Sequence, residues 1–167
     1  PQLDEGDFTF QLIRSSSAGL SSSLDLQKQS EAVIRRDFPE VKEIFSRIGT
    51  AEVENAINSH TGVVESAVVG YPHDIKGQGI YAFVIIDSLH GDAQLTQLDI
   101  AQTVARVIGA IAKPDKIQFV HGLPKTRSGK IMRRILRKIA EGALDQLGDT
   151  STLLDPSVIA SIVDGKL

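Results

Sequence analysis

Hydrophobic and polar positions alternate in FTFQLIR (8–14), which predicts a strand. A polar turn, SSSAGLSSS (15–23), follows it. In LDLQKQSEAVIRRDF (24–38) the apolar positions are Leu26, Ala32, Val33 and Phe38 among charged neighbours, which predicts a helix. Ser22, with Asp25 three residues later, is a candidate cap, and Pro39 stops the helix. VKEIFSRI (41–48) reads as a second strand. This opening part is therefore a β-α-β unit, and no chemistry is visible in it.

A second series begins after Gly49. TAEVENAINSH (50–60) predicts a helix, with Thr50 as its cap and Glu52 and Glu54 suited to its positive end. VESAVVGY (64–71) reads as a strand, PHDIKGQG (72–79) as a turn and IYAFVIID (80–87) as a strand. SLHGDAQLTQL (88–98) reads as a loop with an early helical turn, and DIAQTVARVIGAI (99–111) as an amphipathic helix. KIQFVHG (116–122) reads as a strand. KIMRRILRKIAEG (130–142) is the last strong helix, with Ile131, Ile135, Leu136 and Ile139 as its apolar stripe. Residues 148–167 read as a wrapped extension with one short helix. The fold class is α+β: a small mixed or antiparallel sheet with helices packed on one face, ferredoxin-like in its β-α-β plus α-β-β-α-β order. The expected divisions are 1–49, 50–147 and 148–167. Periodicity alone leaves open whether the first two form one sheet.

Composition narrows the chemistry. At 167 residues the chain has room for one domain or two small ones. Hydrophobic residues are 41% and aromatic residues only 5%, so the core is mostly aliphatic. The absence of cysteine excludes disulfides, thiolate metal sites and a cysteine nucleophile, and fits a reducing compartment. No apolar run is long enough for a spanning helix. The opening PQLDEGD is acidic and lacks Met, which fits a start inside a longer parent rather than a secretory signal.

Charge singles out one stretch. LPKTRSGKIMRRILRKIA (123–140) has seven basic side chains and no acidic one, in a chain of net charge -3. Pro124 stiffens its entry, and Ser128-Gly129 makes a turn in which glycine permits a backbone that a side chain would forbid. Lys130 follows, where loop becomes helix, as a point charge that can neutralise phosphate or carboxylate oxygens. Arg133, Arg134, Arg137 and Lys138 lie on the wet side of the helix. A solvated basic face, a nucleic-acid contact, a membrane-surface contact and a phosphate-ligand site all remain open. Interleaved aromatics are absent, which weighs against nucleic acid. SGK looks like the end of a Walker A loop, but Ile131, not Ser or Thr, follows Lys130 and the earlier glycine is lacking, so that motif is absent.

PKTRSGKIMRRILRKIA (124–140) resembles the C-terminal signature of the acetyl-CoA synthetases, which are adenylate-forming ligases. AEVENAINSHTGVVESAVVGYPHDIKGQGIYAFVII (51–86), AKPDKI (112–117) and LGDTSTLLDP (147–156) are similar to the same family. The resemblance implies a small C-terminal domain that swings over a large N-terminal domain binding ATP and acetate. It implies that Lys130 is the catalytic lysine of the adenylation half-reaction. It also implies that the 68–79 region, with Gly70, helps form the CoA tunnel after the domain rotates, and that Arg106 reaches a CoA phosphate. Lys130 is then a target for a protein acetyltransferase and deacetylase, with Arg133, Arg134 and Arg137 helping such a partner bind. ATP and CoA belong to the complete parent, and this chain alone holds neither strongly. The implied location is cytoplasmic. The family's hinge aspartate and nucleotide-facing arginine have no counterpart in EIFSRIGT (43–50), and the large domain is missing, so independent activity is not expected.

The first fifty residues carry a different resemblance. PQLDEGD, the β-α-β pattern and FPEVKEIFSRIG are similar to a periplasmic porter segment of heavy-metal efflux pumps of the resistance-nodulation-division family. The two resemblances meet at Thr50–Glu52, so the chain reads as a chimera. The only methionine is Met132, so metal transport is not inherited. His60, His73, His90 and His121 are scattered without metal-ligand spacing.

Overall fold

The computed structural model describes residues 20–39, 49–74, 77–87 and 93–167. The expected strands at 8–14 and 41–48 lie outside them. The chain divides into two compact units, Pro1–Arg47 and Ile48–Leu167.

In the first unit, helix α1 spans Leu20–Asp37. It starts four residues before the expected position, so Ser22 lies inside the helix rather than at its cap. Arg36 closes on its neighbour Asp37 at 2.7 Å in the last turn.

The second unit runs α2 (Thr50–Asn58), β1 (Val63–His73), β2 (Gly77–Ile86), α3 (Ala93–Val107), a 3-10 turn (Ala110–Ala112), β3 (Lys116–Phe119), α4 (Arg133–Glu141), a second 3-10 turn (Leu144–Gln146) and α5 (Ser157–Asp164). The α-β-β-α-β order is the one the sequence implies. Three boundaries differ. The cap of α2 is Gly49, so Thr50 is the first residue of the helix rather than its cap. α3 begins at Ala93, because Thr96 is buried and joins Ile100, Thr103 and Val104 on one helical face. α4 begins at Arg133, after Ile131 has paired with Lys125 as an isolated antiparallel bridge.

The sheet is mixed, in the order β1-β2-β3. β1 and β2 form an antiparallel hairpin, and β3 lies parallel to β2 after the α3 crossover. Ala67, Val68 and Val69 are all buried, as are Tyr81 to Val84. Neighbouring residues in a strand point to opposite faces, so continuous burial requires cover on both. Ala67, Val69, Tyr81 and Phe83 face α4 and α5, in a cluster with Ile135, Leu136, Ile139 and Ile162. Val68, Ala82 and Val84 point to the opposite face, toward α2 and α3, which bury Val53, Ile57, Ile100 and Val104. The expectation of helices on one face is therefore corrected to helices on both.

Residues 148–167 contribute directly to this core through Leu153 and Ile162. The Tyr81 hydroxyl donates to Gln118 Oε1 at 2.7 Å and accepts the Leu167 N–H at 3.0 Å. Burial pushes its phenol above the ordinary tyrosine range. Gln118 in turn donates to the Ile162 carbonyl at 2.8 Å, joining β3 to α5.

The core assignment predicts a contrast between two leucines. Leu136→Ala, at 0% exposure, is expected to cost about 2–5 kcal/mol, whereas Leu98→Ala, at 59%, is expected to change stability by about 0.5 kcal/mol or less. Urea unfolding of the two variants measures the difference.

Candidate functional site

The basic stretch folds into a small hairpin followed by α4. Thr126 N–H donates to the Lys130 carbonyl at 2.9 Å, Gly129 N–H to the Thr126 carbonyl at 2.8 Å and Met132 N–H to the Pro124 carbonyl at 2.8 Å. Arg127, Ser128 and Gly129 form the loop. Gly129 has φ 84, the left-handed position that closes a three-residue hairpin and favours glycine. Lys130 is the next residue and its side chain is exposed. It precedes α4 by three residues rather than starting it.

Three attachments fix this hairpin to the domain. Lys125 pairs with Glu65 of β1 at 2.7 Å. Leu154 N–H donates to the Lys125 carbonyl at 2.9 Å, and Thr126 bridges to Leu153. Arg133 reaches Glu54, whose other carboxylate oxygen accepts the Val68 N–H at 2.9 Å on the free edge of β1. Sequence reasoning missed these roles of Glu54, Glu65 and Thr126, and set Glu54 at the positive end of its helix instead. The spacing of Thr126 and Gly129 was a signal for the third; the two glutamates lie too far away in the chain to leave one.

The same contacts decide how much of the basic surface is open. Four of the seven cations are engaged internally. Besides Lys125 and Arg133, Lys138 pairs with Glu141 at 3.1 Å. Arg134 donates to the carbonyls of Leu147 and, at 3.0 Å, Asp149. Among the described residues, no hydrogen bond or ion pair engages the side chains of Arg127, Lys130 and Arg137. A groove for a polyanion needs a longer row of open cations.

The other candidates lie elsewhere. Gly70 sits in β1 opposite Ile80, where an added Cβ would run into the Gln78 side-chain amide. It is five residues along the strand from Glu65, about 16 Å at the usual strand rise. Arg106 is exposed in the last turn of α3, on the side of the sheet opposite α4, 3.5 Å from Thr103 Oγ1. Lys130, Gly70 and Arg106 thus lie on separate parts of the unit. His60 is a structural residue: its Nδ1 accepts the Gly62 N–H at 3.0 Å, and its Nε2 lies 2.8 Å from Asp99 of α3. Among the described residues no group of His, Asp and Glu could hold a metal ion. No described helix is long and apolar enough to cross a membrane.

Residues 52–130 match the family described as the AMP-binding enzyme C-terminal domain. The chain is 60% identical over 121 residues to the acetyl-coenzyme A synthetase of Xanthomonas campestris, covering 72% of this chain and 19% of that protein. It is 61% identical over 122 residues to the enzyme of the same name from Parvibaculum lavamentivorans, again 72% of this chain and 18% of the relative. Among solved structures, the acyl-CoA synthetase of Brucella canis is similar at TM-score 0.55 and 40% identity, over 60% of this chain and 18% of that one. Apo MatB from Rhodopseudomonas palustris is similar at TM-score 0.51 and 29% identity, over 58% and 19%. The chain therefore spans about a fifth of the length of the curated relatives it matches.

Hydrogen bonds from Ser151 and Ser157 hold the carboxyls of Asp149 and Asp155, respectively, below the usual aspartate range. A lowered folded value stabilises the fold above the unfolded value of about 3.9 and is lost as pH falls through the folded value. Acid unfolding of the wild type is thus expected to steepen below about pH 4. Asp149→Asn with Asp155→Asn is expected to flatten that dependence, measured as melting temperature against pH.

Proposed function

We propose, from the match of residues 52–130 to the AMP-binding enzyme C-terminal domain, that this chain carries the C-terminal domain of an acetate–CoA ligase. The complete reaction converts ATP, acetate and CoA to acetyl-CoA, AMP and pyrophosphate. The observation that carries this reading is the Lys130 hairpin: the last residue of the matched span follows a hydrogen-bonded turn and bears an ammonium that no described carboxylate neutralises. In the first half-reaction an acetate oxygen attacks the α-phosphorus and the bond to pyrophosphate breaks. Negative charge grows on the phosphoryl and bridging oxygens. A fixed cation opposite those oxygens lowers the barrier, and removal of one such group typically costs about 10²–10³ in rate. The adenine and acetate pockets belong to a large N-terminal partner domain. ATP and CoA are accordingly ligands of the complete ligase.

The separate positions of Lys130, Gly70 and Arg106 support a division of labour in which Lys130 serves adenylation while Gly70 and Arg106 serve CoA in a rotated arrangement. The open ammonium of Lys130 also supports it as the target of a protein acetyltransferase and deacetylase. Acetylation removes the charge and so stops adenylation. Arg137, exposed and without a described partner, suits recognition by such a protein better than Arg133 or Arg134, which are engaged internally. The proposed location is cytoplasmic. The chimeric reading, with an efflux-pump-like segment at the amino end, rests on PQLDEGD and FPEVKEIFSRIG alone.

Acetate-dependent pyrophosphate release tests the proposal. The chain alone is expected to be silent. The whole chain fused behind the large N-terminal part of the Xanthomonas campestris enzyme is expected to turn over, and Lys130→Ala in that fusion to lose about 10²-fold or more. Full turnover by the alanine variant, or by the isolated chain, contradicts the assignment.

A further inference from the structure

Both peptide groups that flank the Lys130 α-carbon are tied to one residue. The Thr126 N–H donates to the Lys130 carbonyl at 2.9 Å, and Thr126 Oγ1 accepts the Lys130 N–H at 3.1 Å. The same Oγ1 lies 2.9 Å from Ser128 Oγ, across the turn. On its other side Thr126 bridges to Leu153, and the next residue, Leu154, donates its N–H to the Lys125 carbonyl at 2.9 Å. Leu153 is buried in the core and Arg134 fastens the start of this segment by the carbonyls of Leu147 and Asp149. The strap therefore joins the hairpin to the packed layer beneath α4. It lies beyond residues 52–130, the span matched to the family.

We propose that Thr126 is a positioning residue for Lys130, with the strap at 147–154 as its anchor. The inference rests on reading Lys130 as the adenylation lysine. The Lys130 side chain is exposed, so the backbone sets the direction in which its ammonium leaves the hairpin. Catalytic groups lose about 10²-fold when misplaced by about 1 Å, so that direction matters. Thr126→Val keeps the β-branched shape and the main-chain bond but removes the oxygen that holds the Lys130 N–H. Thr126→Ser keeps the oxygen.

Two measurements on the full chain test this. The first is the backbone order parameter of Lys130 by nitrogen relaxation, which needs no ligase activity. It is expected to fall from about 0.85 to below about 0.6 in Thr126→Val and to stay high in Thr126→Ser, with the melting temperature of the domain retained. The second uses the full chain fused to the large domain. Thr126→Val is expected to lower acetate-dependent pyrophosphate release about tenfold or more, with the serine variant restoring it. Thioester formation from preformed acetyl-adenylate and CoA should be unchanged, since that step does not use Lys130. A rigid Lys130 in the valine variant overturns the proposal, as does equal loss of both half-reactions. Normal adenylation by Lys130→Ala instead removes the reading beneath it, and the two failures are thereby distinguished.

Discussion

The structure of the second unit follows from one constraint: the β1–β2 hairpin is apolar on both faces. Ala67, Val68 and Val69 are consecutive and buried, and so are Tyr81, Ala82, Phe83 and Val84. A sheet of three strands cannot bury both faces by itself, so a helical layer must cover each. α2 and α3 cover one, and α4 with α5 covers the other. The position of α4 is thereby set by Ile135, Leu136 and Ile139, whose partners are Ala67, Val69 and Phe83. Because the Lys130 hairpin immediately precedes α4, the same packing brings that hairpin to the β1 edge, where Glu65 and Glu54 hold Lys125 and Arg133.

The electrostatic pattern is then a selective one. A stretch with seven cations becomes, once folded, a surface on which three of them, Arg127, Lys130 and Arg137, stay open among the described residues. Carboxylates engage Lys125, Arg133 and Lys138, while backbone carbonyls engage Arg134. Arg127 and Arg137 share the open condition of Lys130 but lie on the loop and on the outer face of the helix. Such an arrangement suits delivery of one charge to a site on another domain better than binding along a polyanion.

Much of this was legible in the sequence. VESAVVGY and the apolar IYAFVIID read as strands, and Ile135, Leu136 and Ile139 marked the buried stripe of α4. Gly129 was recognisable as the turn glycine, and its φ of 84 requires that residue type. Other features were hidden for physical reasons. Ile131 fits the stripe of α4 by spacing, yet its backbone pairs with Lys125, so a helical pattern extended over an extended residue. Leu153 and Ile162 carry core contacts from a tail whose apolar residues follow no single period. Glu54 and Glu65 act through contacts 79 and 60 residues distant in the chain, and no local pattern encodes such pairs.

The central claim is that Lys130 acts on nucleotide phosphate only when a large ligase domain supplies the rest of the site. An acyl phosphate derivative of ATP, which transfers its acyl group to a lysine close to the phosphates, tests this directly. With the whole chain fused to the large domain, mass spectrometry is predicted to find Lys130 labelled ahead of Lys113, Lys116 and Lys125, and ATP to suppress that label. Without the large domain the preference should vanish. Equal labelling of all four lysines in the fusion, or the same ATP-sensitive preference in the isolated chain, would contradict the account.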